Sequence, residues 1–367
     1  MKIIDSTLRE GIQVSGIWLS LDQKLKILQN LKRTGVTEIE VGIASAQCED
    51  VSELLCATRD NEQGMVKQYS VWSRCVPADI QYAALLGADV VSLSIPVSKQ
   101  HLVDRLGKSK KWALETVRES VGRAIDLGLR VSIGFEDATR GDQQFLLDIS
   151  EVAKCAGVFR IRIADTIGCC SSLEVSELMR KLVKTGHPVE YGFHGHNDFG
   201  MATGNSIAAL EAGATWADVT ILGMGERSGC ARLEEVAAFL HIRHKRDFDL
   251  KEIKALAELV SKMCNRPVPK DQPIVGSDIF HCETGLHVHG LQVNPKLYEP
   301  FDPEVVGAKR RFLFGRKSGR AAVRGLLENY QGGSPKQQEV SDYLRQVKAY
   351  AEQINRPFTA EEFFATL

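Results

Sequence analysis

The sequence predicts a (β/α)8 barrel, a TIM barrel, followed by a small, mostly helical C-terminal lid domain. Three observations lead there. Eight short β-branched runs alternate with longer amphipathic segments. Several of those segments end in a glycine just before the next run, as a left-handed residue closing a helix would. The length, 367 residues, holds one barrel of about 250 residues and an appendage.

The strand-like runs are KIID at 2–5, VTEIEVG at 36–42, VKQYSVW at 66–72, DVVSLSI at 89–95, LRVSIGF at 129–135, FRIRIAD at 159–165, PVEYGFH at 188–194 and WADVTIL at 216–222. Between the first two lies LDQKLKILQNLKRTG, with the apolar spacing of a helix packed on one face. Gly35, Gly87, Gly128 and Gly213 stand at the expected helix ends. Eight such alternations fit a closed barrel more economically than an open doubly wound sheet. The pattern stops near residue 260. NRPVPKDQPIVG then brings three prolines, Pro267 to Pro273, which disfavour helix. The expected organisation is a barrel over 1–264, a proline-rich linker over 265–276 and a lid over 277–367. In the lid, one helix is expected to open at Ser334 with Pro335 at its first position and Gln337 as capping partner, and another at Thr359 with Glu362 in that role.

Composition narrows the function. With 44% apolar and 25% charged residues the chain can bury a core. Forty-six basic against 47 acidic residues, a net charge of -1, argue against nucleic acid and against an anionic membrane, and leave a small molecule as the default partner. The nine cysteines are odd in number and form no C-x-x-C pair, so neither a disulfide framework nor a zinc ribbon is expected, and a reducing cytoplasm is. No targeting segment and no membrane-length apolar run is seen.

The sharpest chemical feature is HGHND at 194–198, at the C-terminal end of the seventh run. Residues two apart in a strand share a face, so His194 and His196 can address one ion, at the end of the barrel where such enzymes place their chemistry. The first run ends in DSTLREG, bringing Asp5, Arg9 and Glu10 to the same mouth. Two imidazoles with one carboxylate leave positions open for water or a chelating acid. Asp5 or Glu10 alone could equally be structural. Arg9 could stabilise an oxyanion or simply pair with a neighbouring carboxylate. GMGERSG at 223–229 reads as a buried Glu226–Arg227 pair that either shapes the mouth or locks the helix start. FEDATR supplies Glu136 and Asp137, and ADTIG supplies Asp165 and Thr166, for acid/base work or as solvated strand ends. His281, His287 and His289 make a second possible metal cluster, in which His287 and His289 repeat the alternate spacing, with Glu283 as the nearby acid. A histidine on a lid serves better as a base at the barrel mouth than as a second metal cluster.

Taken together, DSTLREG, FEDATR, ADTIG, HGHND, GMGERSG, TGLHVHG and YEPFDPEVVG resemble, in order and over essentially the whole chain, the Claisen-condensing metal enzymes that include isopropylmalate and homocitrate synthases. The resemblance implies a divalent metal, Mn, Mg or Zn with Fe and Co also possible, held by Glu10, His194 and His196. It implies Arg9 on the keto oxygen, Thr166 on the substrate carboxylate, and Gln13 and His101 in the substrate pocket. Glu136, His287 and Tyr298 would serve deprotonation of acetyl-CoA. It further implies acetyl-CoA and a 2-oxo acid as substrates, and a homodimer.

Three positions depart from the family pattern. Glu10 stands where Asp is usual, as in lysine-route homocitrate synthases. Ile12 replaces a usual Glu. Cys230 replaces an Asn at or near the metal, and is a possible further ligand. The lysine-route enzymes carry an Arg four residues before the catalytic Glu, suited to the distal carboxylate of 2-oxoglutarate; here Ser132 occupies that substrate position. VSIGFEDATR, GMATGNSIAALEAGA and YEPFDP are instead similar to the homocitrate synthases of nitrogen fixation. No leucine-sensing domain follows residue 367, so that feedback is not expected. The expected reaction is acetyl-CoA, 2-oxoglutarate and water to homocitrate and CoA. Alternatives are the same chemistry on another 2-oxo acid (isopropylmalate, citramalate, citrate or phosphonomethylmalate synthase), or a hydroxymethylglutaryl-CoA lyase-like cleavage, against which the 223–230 loop lacks the lyases' Gly-Gly-Cys-Pro.

Overall fold

A computed structural model describes residues 1–48, 50–59, 66–184 and 189–365. The start of the seventh expected strand, Pro188, lies outside them. Two compact units emerge, Met1–Pro267 and Val268–Leu367.

In the first unit eight parallel strands close into a barrel in sequence order: β1 (Lys2–Asp5), β2 (Glu38–Ile43), β3 (Gln68–Arg74), β4 (Val90–Pro96), β5 (Arg130–Glu136), β6 (Arg160–Asp165), β7 (Glu190–Gly195) and β8 (Trp216–Val219). Closure is made by β1 against β8, with Lys2 opposite Trp216 and Asp5 opposite Val219. The helices between them are α1 (Leu21–Leu31), α2 (Asp50–Arg59), α3 (Pro77–Leu86), α4 (Lys110–Asp126), α5 (Gln143–Ala156), α6 (Ser172–Val183) and α7 (Ala202–Glu211), with α8 (Leu233–His244) and α9 (Leu250–Met263) after β8. The TIM barrel expected from the alternation is what forms.

Most strands begin one or two residues later than the β-branched runs, and β8 is shorter, because Leu222 turns left-handed (φ 56°) in a 3-10 turn at Ile221–Gly223. Gly35, Gly87, Gly128 and Gly213 all take positive φ, as their helix-closing role requires. Side-chain caps fix several helix starts: Ser20 and Ser171 form capping boxes with Gln23 and Glu174.

The second unit holds β9 (His281–Cys282), α10 (Gly285–Val293), β10 (Arg311–Phe312), α11 (Arg320–Gln331), α12 (Gln337–Ile354) and α13 (Ala360–Phe364). Its core gathers Val288, Phe314, Val323, Leu327, Val347, Phe358 and Phe363. The expected capping box of Thr359 with Glu362 is present. The helix expected at Ser334 instead starts at Gln337: the chain stays extended through Lys336 (φ -66°, ψ 151°), and no side chain caps it. None of the nine cysteines forms a disulfide. Among the described residues no helix is long and apolar enough to cross a membrane.

Candidate active site

The interior of the barrel is charged, and its lower layer is fully paired. Arg160 on β6 donates to both carboxylate oxygens of Glu38 on β2 at 2.7 and 2.8 Å, and through Nε to Ser132 at 2.9 Å. All three side chains are buried. Ser132 is therefore not at the mouth, where the substrate role expected for it would need it. Its hydroxyl is an acceptor for the lower arginine, two strand positions below Gly134, which with Glu136 lines the cavity from β5.

One layer higher, Glu40 is the hub. Arg162 Nη1 donates to it at 2.7 Å, Arg9 Nε at 2.5 Å and the Ser6 hydroxyl at 2.7 Å. Burial acts to raise the Glu40 carboxyl, but Arg162 and Arg9 hold it far below the usual range. Arg162 also pairs with Asp218 on β8 and donates to Ser92 at 2.9 Å. Asp218 then accepts from His194 Nδ1 at 3.0 Å. A carboxylate held ionised can only accept, so His194 Nδ1 is the donor in this bond and Nε2 is the nitrogen that faces His196. This orienting role of Asp218 was not read from the sequence; the one signal was a lone acid inside the apolar run WADVTIL.

At the mouth, Nε2 of His194 and Nε2 of His196 stand 3.3 Å apart. Two nitrogens each 2.0–2.1 Å from one ion in tetrahedral arrangement would be separated by about 3.3 Å. Glu10 lines the same cavity; its Oε2 accepts from Arg9, while Oε1 is buried with no hydrogen-bond partner among the described residues. Burial alone would raise the Glu10 carboxyl. Arg9 and the two facing imidazoles overcome that and hold it below its ordinary value. Burial and then the His194 ring push His196 down to about 3, so it is neutral at ordinary pH. An ionised carboxylate with an orphaned oxygen in the same cavity as two imidazoles suits a divalent cation. Cys230 completes the cluster. One donor atom each from His194, His196 and Cys230 lie within 4.8 Å of one another, and Sγ is 3.9 Å from His196 Nδ1. Burial, reinforced by Glu10, raises this thiol well above its usual value, and only a bound cation would invert that preference.

These groups open into a cavity of about 280 Å³ that also receives Gln13, Trp72, Ser94, His101, Arg105, Glu136, Thr166 and Glu226. Glu136 accepts from Ser94 at 3.0 Å and from Arg105 at 2.7 Å. Asp137, left-handed at φ 57°, directs its amide to Thr166 Oγ1 at 2.8 Å, which leaves the Thr166 hydroxyl proton free to be donated.

Several expected roles resolve as structural. Asp5 accepts from the amide and hydroxyl of Thr7, at 3.0 Å each. Asp165 accepts from Thr139 Oγ1 at 2.8 Å and from the amides of Cys169 and Cys170 at 3.2 Å. Asp137 pairs with Arg140 at 2.6 Å. Glu226 and Arg227 are exposed, not buried. Arg227 donates to Asp198 at 3.0 Å and to the Thr166 carbonyl at 2.7 Å, tying the loops after β6, β7 and β8 together. Ile12 lines a separate pocket with Leu54 and Trp18.

In the second unit, His287 on α10 and Tyr298 have ring centroids 4.4 Å apart, and both are exposed. Gly290 makes this possible, since a Cβ there would meet the Tyr298 ring at 2.4 Å. His281 is 3.5 Å from Asp278, and His289 is exposed.

A TIM barrel with this mouth is an enzyme scaffold that can hold one divalent ion in a cavity sized for a small acid. Residues 1–260 match the HMGL-like family, and residues 274–355 match the Homocitrate synthase post-HMGL domain-like family. The chain thus belongs to the HMGL-like family, in the branch whose barrel is followed by the homocitrate synthase type of second domain, as the seven motifs implied. A homocitrate synthase of Frankia alni is 41% identical, covering 90% of this chain and 93% of that protein. A 2-isopropylmalate synthase 2 of Caldanaerobacter subterraneus is 36% identical, covering 98% and 93%. The HMG-CoA lyase structure from Brucella melitensis superposes with a TM-score of 0.63 over 72% of this chain and 98% of that one at 19% identity, which establishes the shared barrel.

Proposed function

We propose that this chain condenses acetyl-CoA with a 2-oxo acid, 2-oxoglutarate being the first-choice acceptor, so that acetyl-CoA, 2-oxoglutarate and water give homocitrate and free CoA. The observation that carries the reading is the pair of imidazole nitrogens, His194 Nε2 and His196 Nε2, 3.3 Å apart with Cys230 clustered beside them, in a cavity of about 280 Å³ whose wall also carries Glu10. Relatives that match nine-tenths or more of this chain are named for synthases of this kind.

In this reading Glu10, His194 and His196, with Cys230 as a possible further ligand, hold a divalent cation, Mn, Mg or Zn before Fe or Co. When bound, it supplies Lewis acidity at the acceptor's keto oxygen. Arg9 adds a second positive group there, with one guanidinium nitrogen left over from Glu10 and Glu40. The Thr166 hydroxyl donates to the acceptor's carboxylate, and Gln13 and His101 border the same pocket. Glu136 takes a proton from the acetyl methyl group, and the resulting carbon nucleophile attacks the keto carbon. Water then cleaves the thioester and CoA leaves. His287 and Tyr298 are the remaining proton-transfer groups, carried by a second unit that acts as a lid in a cytoplasmic homodimer.

Thiol release from acetyl-CoA, measured against 2-oxoglutarate, pyruvate, 2-oxoisovalerate, oxaloacetate and phosphonopyruvate with Mn, Mg and Zn varied, tests this. Acceleration by 2-oxoglutarate is expected. Acceleration by another acid alone removes the homocitrate assignment and keeps the condensation; no acceleration by any acid removes both.

A further inference from the structure

After β4 the chain makes a π-helical turn at Gln100–Arg105 before entering α4. Such turns are rare and concentrate at functional sites. This one brings His101 and Arg105, four residues apart, to the same cavity wall. Arg105 Nη2 is 2.7 Å from Glu136 Oε2, and His101 Nδ1 is 3.9 Å from that oxygen, too far for a hydrogen bond. His101 Nδ1 is buried and has no partner among the described residues.

The cations lining the cavity are not equivalent. Arg9 is fixed by Glu10 and Glu40, and Arg162 by Glu40 and Asp218. Arg105 meets one carboxylate through one nitrogen, and its side chain is 49% exposed. Nε, Nη1 and the second hydrogen of Nη2 remain, and Nη2 with either of the other two makes the fork that grips a carboxylate. Nothing else in the wall offers an accessible, uncommitted cation beside an unpartnered buried ring nitrogen.

We propose that this π-helical turn is the anchor for the distal carboxylate of the acceptor, gripped by Arg105 and completed by His101 Nδ1–H. The inference rests on the condensing function above and narrows its acceptor to short 2-oxo dicarboxylic acids. It also gives Glu136 a trigger: an acceptor carboxylate drawing Arg105 to itself releases the Glu136 oxygen that Arg105 holds in the empty cavity. Arg105 thereby supplies the guanidinium that Ser132, four residues before Glu136, does not.

The test compares 2-oxoglutarate with 2-oxovalerate, acids of equal length that differ only in a carboxylate or a methyl at the far end. Binding to the full-length, Mn-loaded protein is measured by calorimetry. The wild type should bind 2-oxoglutarate at least about tenfold more tightly, the size of one charge-assisted pair. Arg105→Gln should lose about tenfold for 2-oxoglutarate with less than about a twofold change for 2-oxovalerate, and Arg105→Lys should keep part of the preference. Equal affinities in the wild type, or equal weakening of both acids in Arg105→Gln, would overturn the anchor while 2-oxovalerate binding still upholds the 2-oxo acid site. Binding of neither acid to the wild type overturns the proposed function and this inference with it.

Discussion

Two layers of the same barrel, built from the same strands, behave in opposite ways. In the lower one, Arg160 and Glu38 form a two-pronged ion pair, with Ser132 on the remaining donor. In the upper one, Glu10 Oε1 and His101 Nδ1 are buried without partners among the described residues, and two imidazole nitrogens face each other at 3.3 Å. Burying a polar group without a partner is costly, so proteins pair such groups unless another molecule supplies the partner. The lower layer needs no ligand to pair its groups, and the proposed function assigns one to the upper layer. The layers meet at Glu40, Arg162 and Asp218, where the framework sets the direction of a mouth residue, His194.

Substitutions separate the two layers. His194→Ala or His196→Ala should bring metal content from near one ion per chain to near zero and lower thiol release by about a thousandfold or more, with little loss of folding. Elemental analysis and the thiol assay read the two effects; full metal content in both variants would move the site elsewhere. Arg160→Met should do the reverse. Leaving Glu38 buried and unpaired should cost about 3–5 kcal/mol in urea unfolding, and replacing Glu38 by Met as well should recover much of it. If the single variant is as stable as the wild type, the lower layer is not a framework. Asp218→Asn lies between them, with an expected 10–100-fold loss of metal affinity in chelator competition.

A further effect is in pH. In the metal-free protein, burial and the His194 ring depress His196 to about 3. The unfolded chain takes up that proton near 6.5. A depressed folded pKa gives stability that is fully present above 6.5 and is lost as pH falls from there toward 3, by up to about 1.4 kcal/mol per pH unit. His196→Gln should flatten the stability profile in that window. An unchanged slope would show that His196 is not the group responsible.

The barrel was legible because each strand repeats a local pattern, β-branched residues closed by a turn, that needs no knowledge of distant partners. The two histidines were legible for the same reason, since alternation in one strand fixes their shared face. What could not be read depends on pairings across the barrel. Glu38 and Glu40 alternate in VTEIEVG and Arg160 and Arg162 in FRIRIAD, which marks charged residues on one face. That they meet is a fact about β2 and β6 facing each other across the interior. Ser132 was placed by analogy with a position that in relatives carries a long side chain. A serine four residues before Glu136 stays within the lower layer, and the reach to the cavity comes from Arg105 on a turn whose π-helical form leaves no mark in the sequence. The Glu226–Arg227 pair was expected to be buried. It is exposed because Arg227 turns outward at φ 55° to hold Asp198.

The central claim is that this mouth joins two carbon skeletons. The most direct measurement uses acetyl-CoA labelled with carbon-13 at both acetyl carbons, incubated with 2-oxoglutarate and the Mn-loaded protein, with the products identified by mass spectrometry. The account predicts a 2-hydroxy tricarboxylic acid carrying both labelled carbons, formed in step with free CoA thiol and absent from the His194→Ala variant. Free CoA with the label recovered only as acetate, or no consumption of 2-oxoglutarate, would contradict it.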